Sequence, residues 1–393
     1  MEWVKLGDHI SQIRGVSYSK SDIKHSPCDG YVGLLRADAI QDGNIIDTNL
    51  IYVKEAKVSE NQYLRDGDIL IAASSGSKKL VGKAAQFTKT NKDLTFGAFC
   101  KVVRAEDLNK DFLKFFFKSS YYKNTISNLS AGANINNIRN SDIDNLEIIL
   151  YEEKFEADLV RRLNNIEKLI STRRTQIAAL DELVQSVFYE MFENKNFELV
   201  KLGEKVKVNP PKNEVKNLDK DLEVTFLPME NVSENGEVDL SETRKLSEVY
   251  SGFTYAKNGD VVIAKITPSF ENGKGAYLNN LCNDIAFGTT EFHVLRPKKI
   301  NEINYIWLYY LTMTKKFRMY GELNMSGSAG QKRISKAFIE NFQIPLPPLK
   351  LQEQFAAKVE AIEAQKAKLQ TSLEEIETLF DALMQEAFSG NLG

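Results

Sequence analysis

Few residues in this chain are of a type and spacing that could do chemistry, and each falls short of a catalytic constellation. Of the three histidines, His9, His25 and His293, none has a second histidine at i+4 or a neighbouring cysteine. Metal ligands cluster at such spacings, so these are surface or core histidines and no metal site is expected. Cys28, Cys100 and Cys282 lie far apart with no CxxC spacing, which indicates neither a disulfide framework nor zinc; they are read as buried thiols. GSKKLVGKA (76–84) is similar to a phosphate loop. It has five residues between its glycines where that loop has four, and Ala84 stands where a hydroxyl would hold magnesium. NPPK (209–212) is similar to the Asn-Pro-Pro-aromatic motif with which amino-methyltransferases hold a flipped base, but Lys212 replaces the stacking aromatic and no glycine-rich cofactor loop follows a strand elsewhere. The reading is a chain with no catalytic residue, no metal and no cofactor of its own.

The charge distribution points to a binding function. The net charge of −3 is mildly acidic, which would argue against a polyanionic partner if it were evenly spread. Residues 1–68 carry 8 basic and 11 acidic side chains, whereas 69–141 carry 12 and 4; residues 197–260 carry 9 and 13, whereas 261–336 carry 11 and 5. Cations including Lys89, Lys92, Lys315, Lys316 and Arg318 lie among Ser, Thr, Asn and Gly, a mixture suited to phosphate positioning with polar readout of base edges. A solvated lysine face is the bland alternative; the same shift occurring twice argues against it.

The elements that would position these residues come from a repeat. WVKLGD (3–8) returns as LVKLGE (199–204), RDGDILIA (65–72) as KNGDVVIA (257–264), GKAA (82–85) as GKGA (273–276), and FG (96–97) as FG (287–288). The offset is 196 residues at the ends and falls to 191 at the last two pairs, so a unit of about 196 residues is present twice. A length of 393 residues with 42% apolar side chains accommodates two cores. In each unit, short strands follow a Gly-Asp turn, and the aromatic stretches 111–126 and 304–320 are each read as a helix, giving an α+β domain.

From Glu152 to about Glu193, and from Lys350 to Ser389, there is neither Pro nor Gly. Apolar residues recur there at 4-3 spacing: Leu159, Leu163, Ile166, Ile170, Ile177, Leu180, Val184, Val187 and Met191, and 196 residues later Phe355, Val359, Ile362, Leu369, Leu373, Ile376, Phe380, Leu383 and Ala387. Only Arg173 and Lys366 interrupt the two stripes. Two heptad helices in one chain should pair as a coiled coil, each spanning roughly 60 Å at ~1.5 Å per residue. With no basic start followed by an apolar run, and no stretch near the ~18 apolar residues of a membrane span, the protein is expected to be cytoplasmic.

On these features, together with LSAGANINNI (129–138), SGSAGQKRI (326–334) and above all IPLPPLKLQEQF (344–355) opening a long helix, the chain resembles the specificity subunit of type I restriction-modification systems over essentially its whole length. The first unit departs from the pattern, with ILYEEKF (149–155) where prolines and Glu-Gln are expected, which leaves the start of its helix open. The resemblance implies two α+β target-recognition domains in tandem (1–150 and 197–346) and two long helices (151–196 with linker, and 347–393) pairing antiparallel. It implies partners as well: double-stranded DNA with a split target, two methyltransferase subunits and restriction subunits. Carried onto this sequence, DNA-facing positions are Ser74, Ser75, Ser77, Lys78, Lys79, Lys83, Asn134, Asn136 and Arg139 in the first domain, and Lys265, Thr267, Ser269, Lys274, Gln331, Lys332 and Arg333 in the second. The rival reading is a coiled-coil adaptor that binds only proteins.

Overall fold

A computed structural model describes residues 1–74, 80–132, 137–193, 195–328 and 330–390. The chain divides into two compact units, Met1–Thr172 with Ser372–Gly393, and Arg173–Thr371. Each holds one globular α+β head and parts of both long helices, Glu153–Phe192 and Leu349–Ser389.

The heads repeat one topology. In the first, the sheet carrying Ile69–Ala72 pairs that strand antiparallel with Cys100–Ala105, which pairs in turn with Ile10–Arg14. In the second, Val261–Ala264 pairs with Phe292–Pro297, which pairs with Val206–Val208. A further sheet in each head contains a parallel pair, Tyr31–Leu35 with Leu94–Phe96 and Glu223–Leu227 with Ile285–Gly288. Register corrects the alignment at FG: Phe96 faces Leu35 and Gly288 faces Leu227, so Phe96 corresponds to Gly288, one residue beyond the sequence match.

The repeated Gly-Asp turn has a physical reason in both heads. Gly67 and Gly259 sit at φ +87° and +84°, a backbone region that L side chains rarely adopt. The aspartate that follows is buried and takes an arginine from the neighbouring strand in bidentate fashion. Asp68 accepts from Arg104 at 2.8 and 2.7 Å, and Asp260 from Arg296 at 2.7 Å twice. A third bond to each carboxylate, from the backbone N–H of Arg65 or Lys257, closes each turn. Two cations counted in the basic segments are therefore core anchors.

Each aromatic stretch is two helices, not one. Lys110–Lys118 and Ser120–Gly132 are separated at Ser119, and Tyr305–Met313 and Lys315–Leu323 at Thr314, both with extended backbone. Each hydroxyl donates back to a carbonyl of the first helix (Ser119 to Phe116, Thr314 to Leu311) and accepts the N–H of Tyr122 or Phe317 in the second. A side chain that both ends one helix and caps the next outcompetes the apolar periodicity running across it. The buried-thiol reading holds only for Cys100; Cys28 is exposed and Cys282 half-buried.

The long helices begin at Glu153 and Leu349, 196 residues apart, so the missing prolines do not displace the first start. In the first unit Leu159, Val160 and Leu163 share a core with Met384, Ala387 and Phe388 and with Phe112, Phe115 and Phe116 of the head. In the second unit Val184, Phe188 and Phe192 share a core with Phe355, Ala356 and Val359 and with Trp307 of that head. In both, the start of one helix meets the end of the other, so the pairing is antiparallel. Every apolar stripe position is buried or half-buried. Lys366, which interrupts the stripe, is buried with its ammonium on Asp181 (2.7 Å) and Glu237 (3.0 Å), and these carboxylates hold its pKa up against burial. Among the described residues, no helix is long and apolar enough to cross a membrane.

Candidate nucleic-acid interface

In each head two loops distant in sequence are joined at the end of the Gly-Asp strand. Ser74 bridges Asn137 in the first head and Ile266 bridges Arg333 in the second. Two backbone bonds of the frame are shared between the heads. Ile138 N–H donates to Ala73 C=O at 2.8 Å, as Ile334 N–H donates to Lys265 C=O at 2.9 Å. A third loop joins from the turn before Cys100–Ala105 or Phe292–Pro297: Ala73 and Ser74 donate to the Phe99 carbonyl at 2.9 Å each, and Lys265 donates to the Glu291 carbonyl at 2.9 Å.

The predicted site residues divide on this frame. Lys83, Arg139, Gln331 and Lys332 are exposed, and Ser74, Lys265 and Ser269 half-buried. Thr267 donates its hydroxyl to Glu271 (2.7 Å), and its N–H reaches the Lys332 carbonyl (3.0 Å). Lys274 donates to the Met229 carbonyl (3.0 Å), and Arg333 is held bidentate by Glu291 (2.9 Å twice). Ser75, Ser77, Lys78, Lys79, Asn134 and Asn136 lie outside the described residues. Arg318, read as part of a basic face, is buried; its guanidinium donates to the Phe270 carbonyl at 2.8 Å, and burial lowers its pKa to about 10.

Sequence reasoning missed what lies beneath each junction. Lys101 faces Ile71 and His293 faces Ile263 across the same strand pair, so a buried nitrogen base occupies equivalent positions in the two heads. Lys101 donates to Gln12 (2.9 Å) and Asn140 (2.8 Å), the latter in the helix leaving the second loop, and burial pulls its pKa down. His293 Nε2–H donates to the Ile334 carbonyl (3.0 Å) while Nδ1 accepts from Asn209 (3.0 Å), a neutral imidazole with both nitrogens satisfied. The Gly-Asp strands carry the same 192-residue offset as Lys101 and His293, but Lys against His is no match by eye. NPPK also has a structural role: Asn209 accepts the Val294 N–H (3.0 Å), and Lys212 bonds the Tyr250 carbonyl.

Burial lowers the His293 pKa below 6.5, only partly offset by the Ile334 carbonyl. The folded state therefore binds this proton less readily than the unfolded chain, so the stabilisation is complete above pH 6.5 and is lost as pH falls through the folded pKa. Hydrogen exchange at the Val294 and Ile334 amides, corrected for intrinsic rate, should accelerate between pH 7 and 5, and His293→Gln should flatten that response; an unchanged pH dependence in the variant would assign it to other groups.

The chain as a whole is similar to known proteins. Residues 194–378 match the model of the type I restriction modification DNA specificity domain. The StySPI specificity subunit of Salmonella potsdam is 28% identical over 97% of this chain and 86% of its own length, and the EcoKI specificity subunit of Escherichia coli K12 is 28% identical over the same shares. The chain is thus similar over nearly its whole length to specificity subunits of type I restriction enzymes. Two solved structures share the fold over nearly the whole chain. A chain from a type I restriction-modification system studied for complex assembly and conformational transition has a TM-score of 0.57 at 19% identity, covering 98% of this chain and 97% of that one. The specificity subunit from M. genitalium has a TM-score of 0.54 at 15% identity, covering 98% and 96%. Tandem α+β domains joined to an antiparallel helix pair account for the whole repeat.

Proposed function

We propose that this chain reads a split, asymmetric DNA target and directs methyltransferase and restriction subunits to it, without chemistry of its own. Residues 1–150 and 197–346 serve as the two reading domains. Segments 151–196 and 347–393 form the pairing helices, with the stripes from Leu159 to Val187 and Phe355 to Leu383 as their seam. The observation that carries this reading is the duplicated loop junction: two heads hold the same backbone frame and present different side chains on it, Asn137 where the other has Arg333 and Phe99 where the other has Glu291. Equal frames give equal docking on the duplex, and unequal side chains give unequal half-sites. Ser74, Lys83, Arg139, Lys265, Ser269, Gln331 and Lys332 are the described candidates for DNA contact; Thr267, Lys274 and Arg333 shape the loops that present them.

Neutralising several phosphates makes log affinity fall linearly with log salt, with a slope of about −0.9 per phosphate on duplex DNA. Titrating DNA binding by the chain in complex with its methyltransferase subunits from 50 to 200 mM salt should give a steep slope, made shallower by about one unit in Lys332→Ala. A flat response would favour the protein-only adaptor.

A further inference from the structure

Phe99 stands out on the first junction. Its side chain is 67% exposed, between the buried Phe96 and Cys100. It cannot withdraw by moving its backbone, because its carbonyl accepts both the Ala73 and Ser74 N–H groups and the next N–H, of Cys100, donates to Gly97 at 2.8 Å. The turn is thus fastened to the strand end that also holds Asn137, with the ring pointing into solvent. The other described junction residues there, Ser74, Asn137 and Arg139, are polar, so among the described residues of the junction no contiguous apolar surface of the kind a protein partner needs surrounds the ring. At the matching place in the second head Glu291 is engaged by Arg333, and no ring is offered.

We infer that Phe99 is a specificity-determining residue of the first half-site, making an apolar contact with the C5-methyl of a thymine in the major groove. The inference rests on the DNA-reading function proposed above. The major groove presents the thymine methyl beside hydrogen-bonding edges, and reading it takes an apolar group among Ser and Asn side chains. A fixed, solitary ring on a polar junction has that composition. The second head, with an ion pair in its place, would make no such contact, so the methyl readout is confined to one half-site.

The test uses the complex of the full chain with its methyltransferase subunits and a randomised duplex pool, followed by binding to the selected duplex with single deoxyuridine-for-thymine replacements. In the unaltered chain one thymine of one half-site should be required for its methyl, deoxyuridine there weakening binding about fourfold, the factor one buried methyl-sized group supplies. Phe99→Ala should lose the preference at that position and become indifferent to deoxyuridine, and Phe99→Leu should keep both. Phe99 is exposed, so neither variant should alter folding, and an unchanged melting temperature verifies it. If Phe99→Ala selects the same sequence, or responds to deoxyuridine as the unaltered chain does, the assignment of Phe99 is overturned while the DNA-reading function stands. If the unaltered complex selects no sequence, the function itself fails and the inference with it.

Discussion

Asp68→Ala should cost the first head about 3–5 kcal/mol, the penalty of leaving one member of a buried ion pair without its partner. Asp68 is 1% exposed and, in the described structure, is the one carboxylate on Arg104, whose remaining acceptors are the Asn61 and Tyr63 carbonyls at 3.4 and 3.1 Å. The substitution also removes the acceptor that closes the Gly-Asp turn. Asp260→Ala is the control built into the repeat. Its partner Arg296 keeps Glu214, which bonds it directly, and lies 5.1 Å from the centre of the Tyr255 ring, so the loss should fall at the small end of that range. Denaturant unfolding of both variants measures the contrast. Equal losses, or less than about 1 kcal/mol for Asp68→Ala, would mean that the turn aspartate does not anchor the strand leading into the reading loops.

A fragment of residues 1–196 should be a homodimer, and the reason lies in the first core. That core is closed by Phe380, Leu383, Met384, Ala387 and Phe388 from the second long helix, with Tyr151 donating to the Ala387 carbonyl at 2.8 Å. The fragment lacks all of them. Its own first helix carries, 196 residues earlier, Val184, Val187, Phe188, Met191 and Phe192, each apolar, so a second copy can supply the missing surface antiparallel. The backbone carbonyl that Tyr151 needs comes with any residue. The poorest fit is Met191 in place of Ala387, and overpacking of this kind costs about 1–3 kcal/mol. Sedimentation should therefore report a dimer, and Met191→Ala should tighten it. With methyltransferase present, the dimer should direct modification to an interrupted palindrome built from the first half-site. A folded monomer would show that the core closes without the second helix end.

What was legible in the sequence was whatever repeats or has a period. The long helices and the heptad stripes follow from spacing alone, whereas the common starts at Glu153 and Leu349 needed the structure. Pairing across strands does not, because it depends on register: nothing near Asp68 announces Arg104, and Lys101 and His293 share a position without sharing a chemistry. The same limit made charge counts misleading. Arg104 and Arg296 entered the counts of basic residues and Arg318 was placed on a basic face, yet the first two anchor Gly-Asp turns and the third is buried against carbonyls. Ser119 and Thr314 each broke a predicted helix because a single hydroxyl bonding both ways is invisible to a hydrophobic pattern. Phe99 was passed over since one exposed ring has meaning only once the loops around it are known.

The central claim is that two similar frames with different side chains read two different half-sites. Mapping methylated adenines, the mark the family resemblance implies, in DNA modified by the full chain with its methyltransferase subunits tests it most directly. The expected result is one motif of two unlike parts separated by a fixed run of unspecified bases, with changes at Lys332 altering one part only. A single undivided motif, or none, would contradict it.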